Sequence, residues 1–147
     1  MIFIDTDIFV IEKLFKNDDR YDSTTQFLNE IKNDRCTSVY NLFELLGIAS
    51  FNLNKTDLKK LLKGFSDVYE IEILFPHTSY DSAEAFVEQL FDNTFEKISL
   101  KMNFMDAMIL NLAEEHNCST FVTWNLKHFE GRTDIPVRSP QQMMDKK

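Results

Sequence analysis

Four acids stand in apolar segments that otherwise lack charge: Asp5 and Asp7 behind Met1-Ile2-Phe3-Ile4, Glu44 in Asn41-Leu42-Phe43-Glu44-Leu45-Leu46, and Asp106 in Asn103-Phe104-Met105-Asp106-Ala107-Met108. Charged residues make up 27% of the chain, yet Asp5 and Asp7 are the only charges from Met1 to Ile11, Glu44 the only one from Cys36 to Asn54, and Asp106 the only one from Met102 to Ala113. An unpaired carboxylate in such a setting is costly unless it is protonated, paired or bound to a cation. No Lys or Arg shares these segments. A divalent cation gathering the acids would offset the cost, and carboxylates completed by water suit Mg2+ or Mn2+. An ion of that kind can activate water and neutralise a phosphodiester in its transition state.

A plainer role competes at each position. Asn41 with Glu44, and Asn103 with Asp106, have the spacing of a capping box, in which the acid reaches back to the cap and meets the positive end of the helix dipole. Asp7 has two open readings, as cap of a helix through Phe9 and Leu14 or as support for a ligand. Capping explains neither the Asp5-Thr6-Asp7 pair nor the absence of other charge around every site.

The elements that must position these acids alternate between strand and helix. Short apolar runs at Ile2-Ile4, Cys36-Val39, Ile71-Phe75 and Thr120-Thr123, with a weaker one at Ile135-Val137, predict parallel, largely buried strands. Leu58, Leu61, Leu62, Phe65 and Val68 follow helical spacing, as do Ala83, Phe86, Val87, Leu90 and Phe91, each set predicting an apolar face against the sheet. Asp22 or Ser23 would cap a helix carrying Phe27, Leu28 and Ile31, and Asn41 and Asn103 the helices of Glu44 and Asp106. Asp5, Asp7 and Asn125 then follow strands, and Glu44 and Asp106 fall in first helical turns. All five would reach the carboxyl edge of the sheet, where open α/β folds bind ligands.

With 147 residues, 44% of them hydrophobic, the chain fits one α/β domain over residues 1–140 with a C-terminal tail, 141–147, that is frayed or a short surface helix. Cys36 and Cys118 each enter a strand without a Cys-x-x-Cys pair, and read as reduced core thiols of a cytoplasmic protein. Asp5 and Asp7 interrupt the apolar start too early for a signal peptide or membrane span, so the expectation is a soluble protein that is neither exported nor membrane-bound. A net charge of −8 argues against broad attraction to nucleic acid while allowing a small metal-bearing site and a basic partner. His77, His116 and His128 form no zinc pattern. Lys55, Lys59, Lys60 and Lys63 read as a solvated helix face. Lys101 and Lys127, with His128, flank Asp106 and Asn125, where they are either substrate-phosphate contacts or isolated surface groups. Trp124 and Phe129 suit base stacking, with core packing the alternative for Phe129.

Four motifs together resemble the PIN-domain nucleases, especially the compact VapC-type ribonuclease toxins of toxin–antitoxin pairs. They are Ile4-Asp5-Thr6-Asp7-Ile8-Phe9-Val10, Glu44-Leu45-Leu46, Asp106-Ala107-Met108-Ile109 with Ala113, and Val122-Thr123-Trp124-Asn125-Leu126-Lys127-His128-Phe129. The resemblance runs nearly end to end. It implies a three-layer α/β sandwich with a central parallel sheet of four or five strands. It also implies a Mg2+- or Mn2+-dependent endoribonuclease acting on RNA, a cognate antitoxin and a homodimer. By motif match Asp5 and Asp106 would be principal ligands and Glu44 a further ligand or water-orienting group, with Thr6 or Thr123 steadying the site and Asp7 supporting it. Asn125 stands where many members carry a fourth acid; it can offer a carbonyl oxygen but no charge. Two other readings remain at this level: a PIN fold reduced to an RNA- or protein-binding module, and a haloacid-dehalogenase-like phosphatase with Asp5 as nucleophile and Asp7 as general acid.

Overall fold

The computed structural model describes residues 1–145, and Lys146 and Lys147 of the expected tail lie outside the described residues. Five short strands, β1 (Ile2–Ile4), β2 (Arg35–Ser38), β3 (Glu72–Leu74), β4 (Thr120–Val122) and β5 (Val137–Arg138), form one parallel sheet in the order β3-β2-β1-β4-β5. Helices α1 (Thr6–Leu14) and α2 (Tyr21–Glu30) connect β1 to β2, and α3 (Val39–Ala49) and α4 (Lys55–Tyr69) connect β2 to β3. The chain then crosses through α5 (Ala83–Ser99) and α6 (Phe104–Glu115) to the other side of β1, and finishes with α7 (Leu126–Phe129), β5 and α8 (Pro140–Met144). The direction of strand addition therefore reverses at β1. Connections leave β1 and β4 towards opposite sides, which opens a crevice at their carboxyl ends.

Strand alternation sends side chains into two cores. Ile4 and Val122 join Ile8, Phe9, Leu45 and Phe65 on one face, while Phe3 and Phe121 join Cys36, Ile109, Leu110 and Phe129 on the other. Phe3 stacks on Phe121 with centroids 5.0 Å apart, and Phe9 packs edge-on against Phe65 and Tyr69. This is the expected sandwich of helices on both faces of a parallel sheet. Among the described residues no helix is long and apolar enough to cross a membrane.

Several local expectations are corrected. Ser38, not Asn41, caps α3, and Asn41 occupies the third helical position of its capping box, so Glu44 sits in the second turn instead of the first. Asp5 rather than Asp7 caps α1, accepting from the Thr6 N–H. Arg20, without a side-chain bond, occupies the cap of α2, ahead of Asp22 and Ser23. Asn103 caps α6 as expected, with Asp106 in its first turn. Cys118 lies before β4 instead of within it. The apolar faces of α4 and α5 are not fully turned to the sheet: Leu62, Val68, Val87 and Phe91 are exposed. Helix α5 packs on α6, outside the sheet layer, so its stripe meets a helix on one flank only. Helix α8 packs on α2, with Met143 and Met144 against the core.

One buried cation joins the layers through backbone carbonyls, with the Glu70 charge nearby but no ion-pair contact among the described residues. Arg35, 5% exposed at the start of β2, donates to the Leu28 carbonyl at 2.8 Å and to the Tyr69 carbonyl. Both carbonyls lie in the last turns of α2 and α4, where helix dipoles present negative charge. Replacing Arg35 with Ala leaves these carbonyls unmet, and we expect a loss of about 2–4 kcal/mol. Arg35→Lys should recover only part of it, because one ammonium lacks the fork that spans two helix ends. Urea denaturation of the three proteins measures both effects.

Candidate metal centre at the carboxyl edge of the sheet

Asp5 emerges directly from β1, and its backbone N–H still pairs with the Val122 carbonyl of β4 at 3.0 Å. Its side chain is 5% exposed, and both oxygens are occupied: Oδ1 accepts from the Thr6 N–H (2.8 Å) and Asn41 Nδ2 (3.1 Å), Oδ2 from the Thr123 hydroxyl (2.8 Å). None of these donors carries charge. Burial, and next the neighbouring Asp7 carboxylate, raise the Asp5 carboxyl well above its ordinary range against the pull of the Thr123 and Thr6 hydrogen bonds.

Asp7 projects from the first turn of α1 to the loop after β4. Its Oδ2 accepts from the Trp124 N–H (2.8 Å) and the Asn125 N–H (3.2 Å), and lies 3.1 Å from the Thr123 hydroxyl, whose one proton it shares with the closer Asp5 Oδ2. Its Oδ1 is sealed from solvent and has no hydrogen-bond partner among the described residues. Burial pushes the carboxyl up to about 6 in spite of the donors on Oδ2 and the nearby Arg20 charge. The Arg20 guanidinium itself is forked onto Asp18 through two bonds of 2.8 Å.

Asn41 links this pair to α3. Its amide oxygen accepts from the Ser38 N–H (3.2 Å), and its amide nitrogen donates to Asp5 Oδ1 and to the Thr6 hydroxyl (2.9 Å). Sequence reading assigned Asn41 only to a cap. The contact across 36 residues to Asp5 leaves no local signal. Glu44, half-buried three residues further along α3, is raised first by burial, with the Thr6 hydrogen bond opposing and the Asp106 charge adding. Glu44 thus lies in the electrostatic field of both Asp5 and Asp106.

Asp106 is held on one oxygen. Asn103 Nδ2 (2.6 Å) and His128 Nδ1 (3.0 Å) both meet Oδ2, while the Asp106 N–H donates to Asn103 Oδ1 (2.9 Å). His128, read from sequence only as a flank of the site, is therefore in direct contact with an acid. Asn125 caps α7 without a side-chain bond to it; the residue is exposed, and it joins the Asp7 node through its backbone N–H alone. Lys101 is exposed in the turn before α6 at φ 67°, and Lys127 is exposed on α7. Trp124 is tied to Thr24 through Nε1 (2.9 Å), and Phe129 is fully buried, which settles it as core.

The donor set fits a hard divalent cation. It consists of oxygens, the Asp5 and Asp7 carboxylates are held apart from any contacting cation, and one buried oxygen of Asp7 has no hydrogen-bond partner among the described residues. Among the described residues no three His, Cys, Asp or Glu side chains enclose an ion by themselves. An ion here would take few protein ligands at a time and complete its shell with water, as Mg2+ does. An open cleft of ≈ 980 Å³ lies elsewhere, lined by Lys97, Cys118, Arg132 and Pro136 among others.

Comparison with known proteins adds a family to this geometry. No curated protein matches the chain. Solved structures with the same fold include VapBC2 from Rickettsia felis bound to a DNA fragment from its promoter (22% identity, 95% of this chain and 98% of that one, TM-score 0.61). VapBC-1 from nontypeable Haemophilus influenzae is another (18%, 96% and 99%, TM-score 0.63), as is a toxin–antitoxin complex from Klebsiella pneumoniae (18%, 95% and 98%, TM-score 0.63). At these identities the likeness speaks for the fold. The sequence profile of the PIN domain matches residues 2–129, nearly the whole chain. The chain belongs to the PIN-domain family.

Proposed function

We propose that this protein is a Mg2+- or Mn2+-dependent endoribonuclease and the toxin of a toxin–antitoxin pair. The observation that carries the reading is the Asp5–Asp7 node, a buried carboxylate beside a partly buried one, both met by neutral donors, with Asp7 Oδ1 lacking a hydrogen-bond partner among the described residues. PIN domains generally use divalent metal ions. Asp5 and Asp106 would hold the ion, with Glu44 and the carbonyl of Asn125 assisting and the neighbouring Asp7 carboxylate supporting it through its charge. Bound there, the ion supplies positive charge against the developing charge of the phosphodiester and acidifies water.

The protein's own groups do the rest. Thr123 and Asn41 fix Asp5, so its orientation does not depend on substrate. Asn103 and His128 both engage Asp106 Oδ2, which fixes the orientation of that carboxylate. Burial raises the Glu44 carboxylate, which suits it to take a proton from the attacking water. Lys101 and Lys127, exposed on elements that adjoin Asp106 and Asn125, are the groups we assign to RNA phosphates. In a chain of net charge −8, such local cations and the ion must carry the attraction.

An antitoxin and a second copy of the chain are the proposed protein partners. Solved toxin–antitoxin complexes share the fold. Phe91, Phe95 and Ile98 follow one another along the exposed side of α5, an apolar stripe suited to cover by a partner. We place the protein in the cytoplasm, where RNA and reduced thiols coexist.

The neutral Asn125 supports a second reading, a catalytically weakened binding module. The phosphatase reading has lost its support, since Asp7 Oδ2 is engaged by two backbone N–H groups and the chain is a PIN domain.

Cleavage of single-stranded and structured RNA, followed on gels with Mg2+, Mn2+ or EDTA, tests the enzyme. We expect cleavage with either ion and none in EDTA, with Asp5→Ala and Asp106→Ala reduced by about 100-fold or more. Asn125→Asp should raise activity or lower the ion concentration required. Tight RNA binding without cleavage under every condition would favour the inert module.

The raised carboxyls also set a pH dependence. Asp7 titrates near 3.8 when unfolded and near 6 in the fold, so the folded state binds the extra proton between those values. Ion-free protein therefore gains stability as pH falls through 6, and loses it again as pH rises. Thermal melting in EDTA should rise from neutral pH to about pH 5. Mn2+ at neutral pH should give a similar rise, the two gains should not add, and Asp7→Asn should flatten the profile. A melting point that falls across this range in the wild type, or an unaltered profile in the variant, contradicts the assignment.

A further inference from the structure

Cys36 and Cys118, 82 positions apart, bring their sulfurs to 3.6 Å in the core layer beneath α6. Cys36 faces that layer from β2, where it pairs with Phe3 of β1. Cys118 sits in the turn between α6 and β4, its N–H bonded to the Ala113 carbonyl at 3.0 Å. The two thus approach from opposite sides of β1, near the strand starts and away from the acids.

The pair is asymmetric in access. Cys36 is completely buried, whereas Cys118 is 5% exposed and lines the open cleft of ≈ 980 Å³, whose wall also includes Lys97, Asn117, Ser119 and Arg132. A small solute entering the cleft meets Cys118 first, with Cys36 standing behind it. The pair is also asymmetric in protonation. Either sulfur can donate to the other, and the Cys36 S–H also has the Ile2 carbonyl at 3.6 Å as an acceptor; with the Cys36 proton directed at Cys118 Sγ, the Cys118 thiol is lowered and Cys36 raised.

We propose that Cys118 and Cys36 form a peroxide-oxidation site, with Cys118 the attacking sulfur and Cys36 the resolving one. The Cys118 thiolate attacks one oxygen of hydrogen peroxide, the O–O bond breaks, and the other oxygen leaves as hydroxide and is protonated to water. The Cys36 thiol then attacks the Cys118 sulfur, forming the S–S bond and expelling the sulfenic oxygen, which leaves as water with the Cys36 proton. Two thiols and one peroxide give one disulfide and two waters; the sulfurs are oxidised and the peroxide reduced. A disulfide needs about 2.0 Å between sulfurs, so each moves by less than about 1 Å from the observed contact. The bond would tie β2, which leads into the helix of Glu44, to the turn that follows the helix of Asp106.

Intact-mass analysis and non-reducing peptide mapping of the folded full chain after hydrogen peroxide test this. The wild type should lose the mass of two hydrogens, yield the joined Cys36 and Cys118 peptides, and return to the thiol form with dithiothreitol. Cys36→Ser should instead gain oxygen at Cys118, and Cys118→Ser should stay unmodified over the same time. In urea Cys36 of the Cys118→Ser variant should oxidise, which ties its protection to the fold. An absent internal disulfide in the wild type, or oxidation of Cys36 in folded Cys118→Ser at the wild-type rate, would overturn the proposal.

Discussion

The Asp5 carboxylate is the constraint on which the rest of the site depends. It leaves the central strand at the point where the sheet reverses its order, and it is 5% exposed. Its oxygens draw together three connections: α1 through the Thr6 N–H, α3 through Asn41, and the loop after β4 through Thr123. These donors orient the charge without neutralising it. Asp7, placed on the same side by the first turn of α1, adds a second negative group. The fold thus invests stability in a pair of carboxylates that favour a proton or a cation, and that imbalance is the physical content of the site.

Around this node the remaining acids are held less tightly. Asp106 is anchored through one oxygen by Asn103 and His128, and Glu44 is half-buried between the fields of its neighbours. The gradient from a fully satisfied Asp5 to a partly free Asp106 suits an ion that arrives with water and substrate. The opposite end of the sheet has a different character. There the groups near the strand starts are the Cys36–Cys118 contact and the Arg35 guanidinium on its helix carbonyls. The two ends share a core, and among the described residues no hydrogen bond joins the two sets of groups.

Much of this was legible in sequence, for identifiable reasons. Short apolar runs located all five parallel strands to within a residue or two, although burial is complete only towards the middle of the sheet and the edge strands β3 and β5 are partly exposed. Isolated charges in apolar segments marked the acids. Caps were harder: Ser38 and Asn41 both qualify by type, and only the backbone conformation decides which is the cap. Periodicity identified the stripes of α4 and α5 but not what covers them, and Phe91 remains exposed because α5 lies on α6. Contacts between distant residues left no trace at all. The Asn41 bond to Asp5, the His128 bond to Asp106 and the meeting of Cys36 with Cys118 depend on topology, and none follows from local spacing.

The central claim is that the Asp5–Asp7 node demands a cation, and calorimetric titration with Mn2+ at neutral pH, repeated in buffers of different ionisation enthalpy, tests it most directly. Because protons and ions compete for the same raised carboxyls, binding to the wild type should be accompanied by proton release. Asp7→Asn should weaken the binding and diminish the release. Binding with no proton displaced, or an affinity unchanged in Asp7→Asn, would contradict the account.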